Sequence, residues 1–182
     1  MHTVRITCVI GNPKQSSRTR QVAEAVAAAA ARAFIDAGLE PAVDTLEVSY
    51  LGPHLLGWGA PEAATAVQQL IDADLIVVAS PVFKATYSGL LKLLFDQVGA
   101  GQLSGSLAVP VMVGAAPQHA LAVETHLRPL LMEVGASCPT AGIFVLESTL
   151  DSLDEQLDTW AAVALPRLVV GVGLGRTQAS PG

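Results

Sequence analysis

Ser16-Ser17-Arg18-Thr19-Arg20 is the stretch of this 182-residue chain best equipped to hold an anion. It follows a hydrophobic run that breaks at Gly11-Asn12-Pro13. It precedes Val22, Ala25, Val26, Ala29, Ala33 and Phe34, an apolar stripe at helical spacing. A helix N-terminus carries partial positive charge, so its first turn normally attracts Asp or Glu. Here no acid appears before Glu24, and two arginines stand in the first turn at a cost of about 0.3–1 kcal/mol each unless an anion joins them. The hydroxyls of Ser16, Ser17 and Thr19, the helix's free N–H groups and Arg18 together make a phosphate cradle. The alternative is that Ser16 or Ser17 only caps the helix and the arginines face water. Gly11 stands without the further glycines of a dinucleotide-binding turn, and no Gly-Lys-Ser/Thr follows, so neither nucleotide fingerprint is present. Glu47 stands where such folds place a ribose-binding acid, but lacks those glycines. A short phosphomonoester suits this loop best.

A second stretch, Ser80 to Tyr87, offers a stiff turn at Pro81, an apolar shelf at Val82 and Phe83, a cation at Lys84 and a second aromatic at Tyr87. A flat tricyclic ring could lie on Val82 and Phe83 with backbone N–H groups facing its polar edge. Alternatively, Phe83 and Tyr87 are ordinary core aromatics. The loop is braced on both sides. Before it, residues 75–80 are apolar and β-branched without alternation, the pattern of a strand buried on both faces. After it, Ser88-Gly89 opens a helix carrying leucines at 90, 91, 93 and 94.

These loops require a scaffold that brings strand ends together. Strands are expected at 4–10, 43–48, 75–80, 107–113 and 140–146. Helices are expected at 17–37, 61–73, 89–96 and 119–134, with a last one from 148 into the 160s. Strand and helix alternate throughout, which specifies α/β architecture: one flavodoxin-like, doubly wound domain over 1–172 with a five-stranded parallel sheet and helices on both faces. Ligands in such folds bind at the carboxyl ends of the strands. Gly, Ser and Pro over 173–182 read as a flexible tail.

Composition narrows the function. The chain is 51% hydrophobic and 14% charged with a formal net charge of −6, which excludes a disordered chain and a nucleic-acid coat. The apolar excess suggests surface buried between subunits, as in a homodimer or homotetramer. Cys8 and Cys138 form no metal or redox motif, and the histidines at 2, 54, 119 and 126 share no ligand spacing, so no metal is expected. The N-terminus enters a strand without a leader, and the late apolar run at 168–172 is too short for a bilayer, so a cytoplasmic protein without membrane contact is expected.

Residues 80–92, Ser-Pro-Val-Phe-Lys-Ala-Thr-Tyr-Ser-Gly-Leu-Leu-Lys, resemble the flavin loop of NAD(P)H-dependent FMN reductases, above all those serving bacterial alkanesulfonate and methanesulfonate monooxygenases. That loop usually has a tyrosine where Phe83 stands. The resemblance covers most of the domain. Gly11-Asn12-Pro13 and Ser17-Arg18-Thr19 match the family's Gly-Ser-Pro and Ser-Arg-Ser phosphate loop. Gly114-Ala115-Ala116 with His119 matches its Gly-Gly-Thr/Ser turn ahead of a His. It implies FMN held by Asn12, Ser17, Arg18, Thr19, Pro81, Val82, Phe83, Lys84, Ala85, Thr86, Gly114, Ala115, Ala116 and His119. It also implies hydride transfer from NADPH or NADH to FMN, and reduced FMN passed to a flavin-dependent monooxygenase. No side-chain acid or base is needed on that path. Competing readings are a quinone or azo reductase with tightly bound FMN, a flavodoxin-type electron carrier, and a phosphate-binding regulatory module.

Pro129 falls inside the expected 119–134 helix. It lacks the N–H that would bond the Thr125 carbonyl, and its ring crowds that carbonyl. One wide π-type turn relieves both problems. In the alkanesulfonate-type reductases the resemblance implies a one-residue insertion in this helix, at a subunit interface near the flavin, and His126 takes the inserted place.

Overall fold

A computed structural model of the chain describes residues 3–178. Its centre is β3 (Leu75–Pro81), in which all seven residues are buried. β1 (Thr3–Ile10) flanks it on one side and β4 (Leu107–Gly114) on the other; β2 (Glu40–Glu47) and β5 (Ile143–Leu146) form the edges. Every pairing is parallel, in the order β2-β1-β3-β4-β5. That order and the helices on both faces make the fold flavodoxin-like.

The strand pleat divides the core. Leu75, Val77 and Ala79 face α1 (Arg18–Asp36) and α5 (Leu153–Gln178), together with Ile6, Cys8, Val109 and Val111. Ile76 and Val78 face α2 (Pro61–Ile71), α3 (Gly89–Asp96) and α4 (Arg128–Glu133). A strand filled on both faces therefore reads as a continuous apolar run. Ala23, Ala27 and Ala30 bring α1 close to the sheet, and Gly38, at φ 77°, ends it with its N–H on the Ile35 carbonyl. Cys8 is sealed beneath α1, where burial pushes its thiol up to about 12. It is a packing residue.

Several boundaries differ from the sequence expectation. β5 begins at Ile143 rather than 140, because the approach to it is tethered by side chains of the preceding helix instead of a ladder. Between β2 and the helix at Pro61–Ile71 the chain makes 3-10 turns at Val48–Tyr50 and Gly52–Leu55. The last helix is preceded by a 3-10 segment, Glu147–Ser152, with non-helical Thr149 inside it.

That last helix also outruns the 160s and passes Gly171 and Gly173 to reach Gln178. Leu168 and Val172 are buried and hold it down. Gly171 lets it lie on β4, since a Cβ there would sit 2.8 Å from Leu107 Cδ1. The rest of the expected tail, 179–182, lies outside the described residues. Residues 147–174 form a helical span long and apolar enough to cross a membrane by length and composition, unlike the short run at 168–172. In the fold its inner stripe (Leu157, Ala164, Leu168, Val172) packs on the sheet.

Candidate functional site

Three loops meet at the carboxyl ends of β1, β3 and β4. The first joins β1 to α1. Ser17 is the N-cap of α1, its Oγ accepting from the Arg20 amide at 3.2 Å. Asn12 shapes the loop from inside: its Oδ1 accepts from the Lys14 amide at 2.9 Å and its Nδ2 donates to Thr19 Oγ1 at 3.0 Å. Thr19 is buried, so its hydroxyl braces the loop rather than facing solvent. Ser16 turns the chain at φ 51°, just before the helix. The amides of Gln15, Ser16, Ser17, Arg18 and Thr19 donate no hydrogen bond to another described residue. A run of unused amides through a left-handed residue into a helix start is an anion nest, and it fits a phosphate.

The arginines of this loop do not wait unpaired. Arg18 Nη1 lies 2.6 Å from Glu147 Oε2. Arg20 contacts Glu24 at 2.8 Å and Glu47 at 3.1 Å, and its hydrogen bond to Glu24 raises its pKa further. Glu47 is thus committed beneath α1, with its side chain 3% exposed, and does not stand free as a ribose acceptor. Its Oε2 and the Ser49 hydroxyl are buried with no partner among the described residues. The charge imbalance read in the first turn is met by Glu24 one turn along α1 and by Glu47 and Glu147 from elsewhere in the fold.

The second loop is a tight hairpin. Phe83 N–H donates to the Thr86 carbonyl at 2.8 Å, and Thr86 N–H returns to Phe83 at 3.2 Å. Between them Lys84 (φ 51°) and Ala85 (φ 66°) both occupy left-handed backbone, the geometry of a type I′ turn. Such turns favour Asn-Gly, so Lys-Ala here is strained, and strain of this kind collects at functional sites. Its outcome is specific: the amides of Phe83 and Thr86 are used inside the loop and that of Val82 donates to the Val113 carbonyl of β4 at 2.8 Å, while those of Lys84 and Ala85 donate to no described partner. Phe83 is 46% exposed and is therefore no core aromatic, whereas Val82 and Tyr87 pack against the core. Replacing Ala85 with Gly should relieve one left-handed residue and raise stability by about 1 kcal/mol. An unchanged or lower urea midpoint would count against the strained turn.

The third loop runs from Gly114 into a 3-10 turn at Pro117–His119. A Cβ at Gly114 would lie 3.0 Å from the Phe144 ring and 3.2 Å from Val82 Cγ2, so glycine lets this strand end approach the second loop's shelf. The amides of Ala115 and Ala116 take no described partner. With Lys84 and Ala85 they give donors for the polar edge of a flat ring lying on Val82 and Phe83. His119 is half-buried at this loop's end.

Ser88 fastens the first two loops. Its Oγ caps α3 by accepting from the Leu91 amide at 3.1 Å and donates to the Gly11 carbonyl, while its own amide donates to Ser80 Oγ at 2.9 Å. The sequence marks Ser88 only as a helix opener; nothing in it signals the bond to Gly11. Glu147 and Phe144 were likewise missed, being remote in sequence from the loops they touch.

Ahead of α4, the chain makes a π-helical turn over Val123–Leu127, which contains the exposed His126 and ends two residues before Pro129. Glu124 takes both ends of the Arg128 guanidinium and accepts the Gly142 amide at 2.6 Å. Arg128 also donates to the carbonyls of Cys138 at 2.8 Å and Thr140 at 2.6 Å. This clamp ties the turn to the approach of β5. Arg128, first through its hydrogen bonds and then the Gly142 amide, holds the Glu124 carboxyl below its ordinary value of 4.5. A depressed carboxyl contributes stability above the unfolded value and loses it as pH falls through the folded one. Glu124→Gln should therefore flatten the fall in stability below about pH 4.5. Parallel losses in both proteins, measured by urea unfolding at pH 7 and pH 3.5, would disprove the clamp.

Among the described residues no group of three or more His, Cys, Asp or Glu could hold a metal. His54 instead lies 3.2 Å from Glu62.

Residues 4–151 match the model of a family described as NADPH-dependent FMN reductase. The FMN reductase (NADPH) of Escherichia coli (strain K12) is 32% identical over 148 residues, which cover 80% of this chain and 74% of that protein. The NADH-dependent FMN reductase SfnE of Pseudomonas putida is 29% identical over 180 residues, covering 91% and 88%. The crystal structure of an oxidoreductase from Corynebacterium diphtheriae superposes with a TM-score of 0.82 at 28% identity, covering 93% of this chain and 98% of that one.

Proposed function

The chain belongs to the NADPH-dependent FMN reductase family, and from that premise we propose that it hands reduced FMN to a separate flavin-dependent monooxygenase. The enzyme is an NAD(P)H:FMN oxidoreductase using FMN with NADPH or NADH. The observation that carries the site assignment is the set of unused amides in three neighbouring loops.

In this reading the FMN phosphate lies on the amides of residues 15–19, with the Ser17 hydroxyl and Arg18 beside it; Asn12 and Thr19 hold that loop in shape. The ring rests on Val82 and Phe83, stiffened by Pro81, with Thr86 closing the turn. Gly114 admits the ring's edge, the amides at 84, 85, 115 and 116 face it, and His119 borders it. Hydride transfer between nicotinamide and flavin is chemistry the cofactors supply. The chain's share is to orient the rings, to place N–H donors where negative charge develops on the flavin edge, and to keep the shelf dry. No general acid or base is assigned. The absence of a tyrosine hydroxyl at Phe83 leaves the shelf purely apolar.

The monooxygenase partnership is supported by the match of residues 80–92 to the loop of alkanesulfonate-type reductases. Assembly as a homodimer or homotetramer is supported by the exposed His126, Leu121 and Met132 on one helical stretch. A cytoplasmic location agrees with the free thiols Cys8 and Cys138. One domain spanning 1–172 agrees with the continuous sheet, and α5 then extends that domain to Gln178.

The test is oxidation of NADH and NADPH, followed by absorbance, on protein whose bound flavin has been quantified. Turnover that rises hyperbolically with added FMN on flavin-free protein supports the reading. Stoichiometric retained FMN, with no response to added FMN, would replace it with a quinone or azo reductase.

A further inference from the structure

Arg18 and Glu147 are 129 residues apart, yet they meet at 2.6 Å beside the phosphate nest. Glu147 is delivered there by a braced segment. It follows β5 directly, and the turn behind it is closed by Thr149 Oγ1 donating to the Leu146 carbonyl at 3.1 Å and by Ser152 Oγ donating to the Thr149 carbonyl at 3.0 Å. Gln156 Nε2 adds a bond to the same Thr149 carbonyl at 2.9 Å. The backbone that carries Glu147 is therefore braced without help from Arg18, while its carboxylate has Arg18 as its one partner among the described residues.

We propose that Glu147 is a positioning residue that competes with the FMN phosphate for Arg18 and so keeps FMN exchangeable. This rests on the phosphate lying at residues 15–19. The Arg18 and Glu147 side chains are 61% and 39% exposed, and an ion pair that open to water is weak. A phosphomonoester dianion offers the guanidinium a stronger bidentate partner. Arriving phosphate thus takes Arg18 from Glu147, but the braced backbone keeps Glu147 at the nest, so its carboxylate remains a like charge close by. Its repulsion, and the waiting return of Arg18, oppose phosphate binding and favour its departure. An enzyme that treats its flavin as a travelling substrate gains from such a residue, because release must recur in every cycle.

The experiment measures equilibrium binding of FMN and of riboflavin, which lacks the phosphate, by quenching of flavin fluorescence at low salt. It compares the native protein with Glu147→Gln, Arg18→Gln and the double variant. Glu147→Gln is expected to tighten FMN roughly threefold, to leave riboflavin unchanged, and to lose its advantage as salt is raised. In the Arg18→Gln background the same change should do markedly less, since the competition runs through Arg18. If Arg18→Gln weakens FMN but Glu147→Gln does not tighten it, the competition is wrong and the phosphate assignment stands. If Arg18→Gln leaves FMN binding untouched, the phosphate assignment itself falls. Equal tightening of FMN and riboflavin would make Glu147 merely structural and overturn the proposal.

Discussion

Gly11→Ala should cost about 3 kcal/mol of stability and take FMN binding with it. Gly11 needs no left-handed backbone; it needs space. A Cβ there would stand 2.7 Å from Leu91 Cβ, 2.9 Å from Leu91 Cδ1 and 3.1 Å from the Ala79 carbonyl oxygen. Two of these atoms cannot rotate away, because one is backbone of the central strand and the other is the first side-chain atom of a helix. The Gly11 amide also donates to that Ala79 carbonyl at 2.7 Å, so the loop cannot lift without losing the bond. Leu91 is fully buried, and displacing it moves α3 and the shelf loop in front of it. For a domain of this size 3 kcal/mol corresponds to a fall of about 6–12 °C in melting temperature. A melting temperature within about 2 °C of the native protein would refute the packing argument.

Ser88→Ala is expected to cost about 2–3 kcal/mol, from a lost helix cap and a buried carbonyl left without its donor. Ser88 is 1% exposed, so water cannot replace the hydroxyl. The residue answers two demands at once: it accepts from the Leu91 amide and donates to the Gly11 carbonyl. Ser88→Asp separates them, since a carboxylate caps a helix but gives nothing to a carbonyl. If the bond to Gly11 matters, Asp should rescue little of the loss, and FMN affinity should fall in both variants while α3 remains helical. Full rescue by Asp would reduce Ser88 to a cap. The two variants report on one joint, where the phosphate loop and the ring shelf are held in register through Gly11, Leu91 and Ser88.

That joint shows why the site was only partly legible beforehand. Ser17 could be read as an N-cap and Pro129 as a helix irregularity because both act over one helical turn, where sequence distance equals spatial distance. The shelf could be placed because β3 carries an unbroken apolar run and parallel sheets put their loops at strand ends. Glu24, one turn on from Arg20, is a local partner, but the other partners of Arg18 and Arg20 could not be found, since Glu47 arrives with the neighbouring strand and Glu147 with the far edge of the sheet. The end of α5 was misjudged for a related reason. Glycines at 171 and 173 look like a stop until the close approach to Leu107 makes the first of them a packing requirement.

By itself, the sequence determined the alternation of strands and helices, the parallel sheet they form, and the loops that carry hydroxyls, an arginine and an aromatic shelf. Each rests on local periodicity or on a cap, which the chain encodes within a few residues. The tertiary structure decided which amides remain unused, that Asn12 and Thr19 brace the phosphate loop, that Lys84 and Ala85 are strained into a type I′ turn, and that Glu147 holds Arg18. Those outcomes depend on where separate strands end relative to one another. That is fixed only when the sheet closes its register and the two layers of helices pack against it.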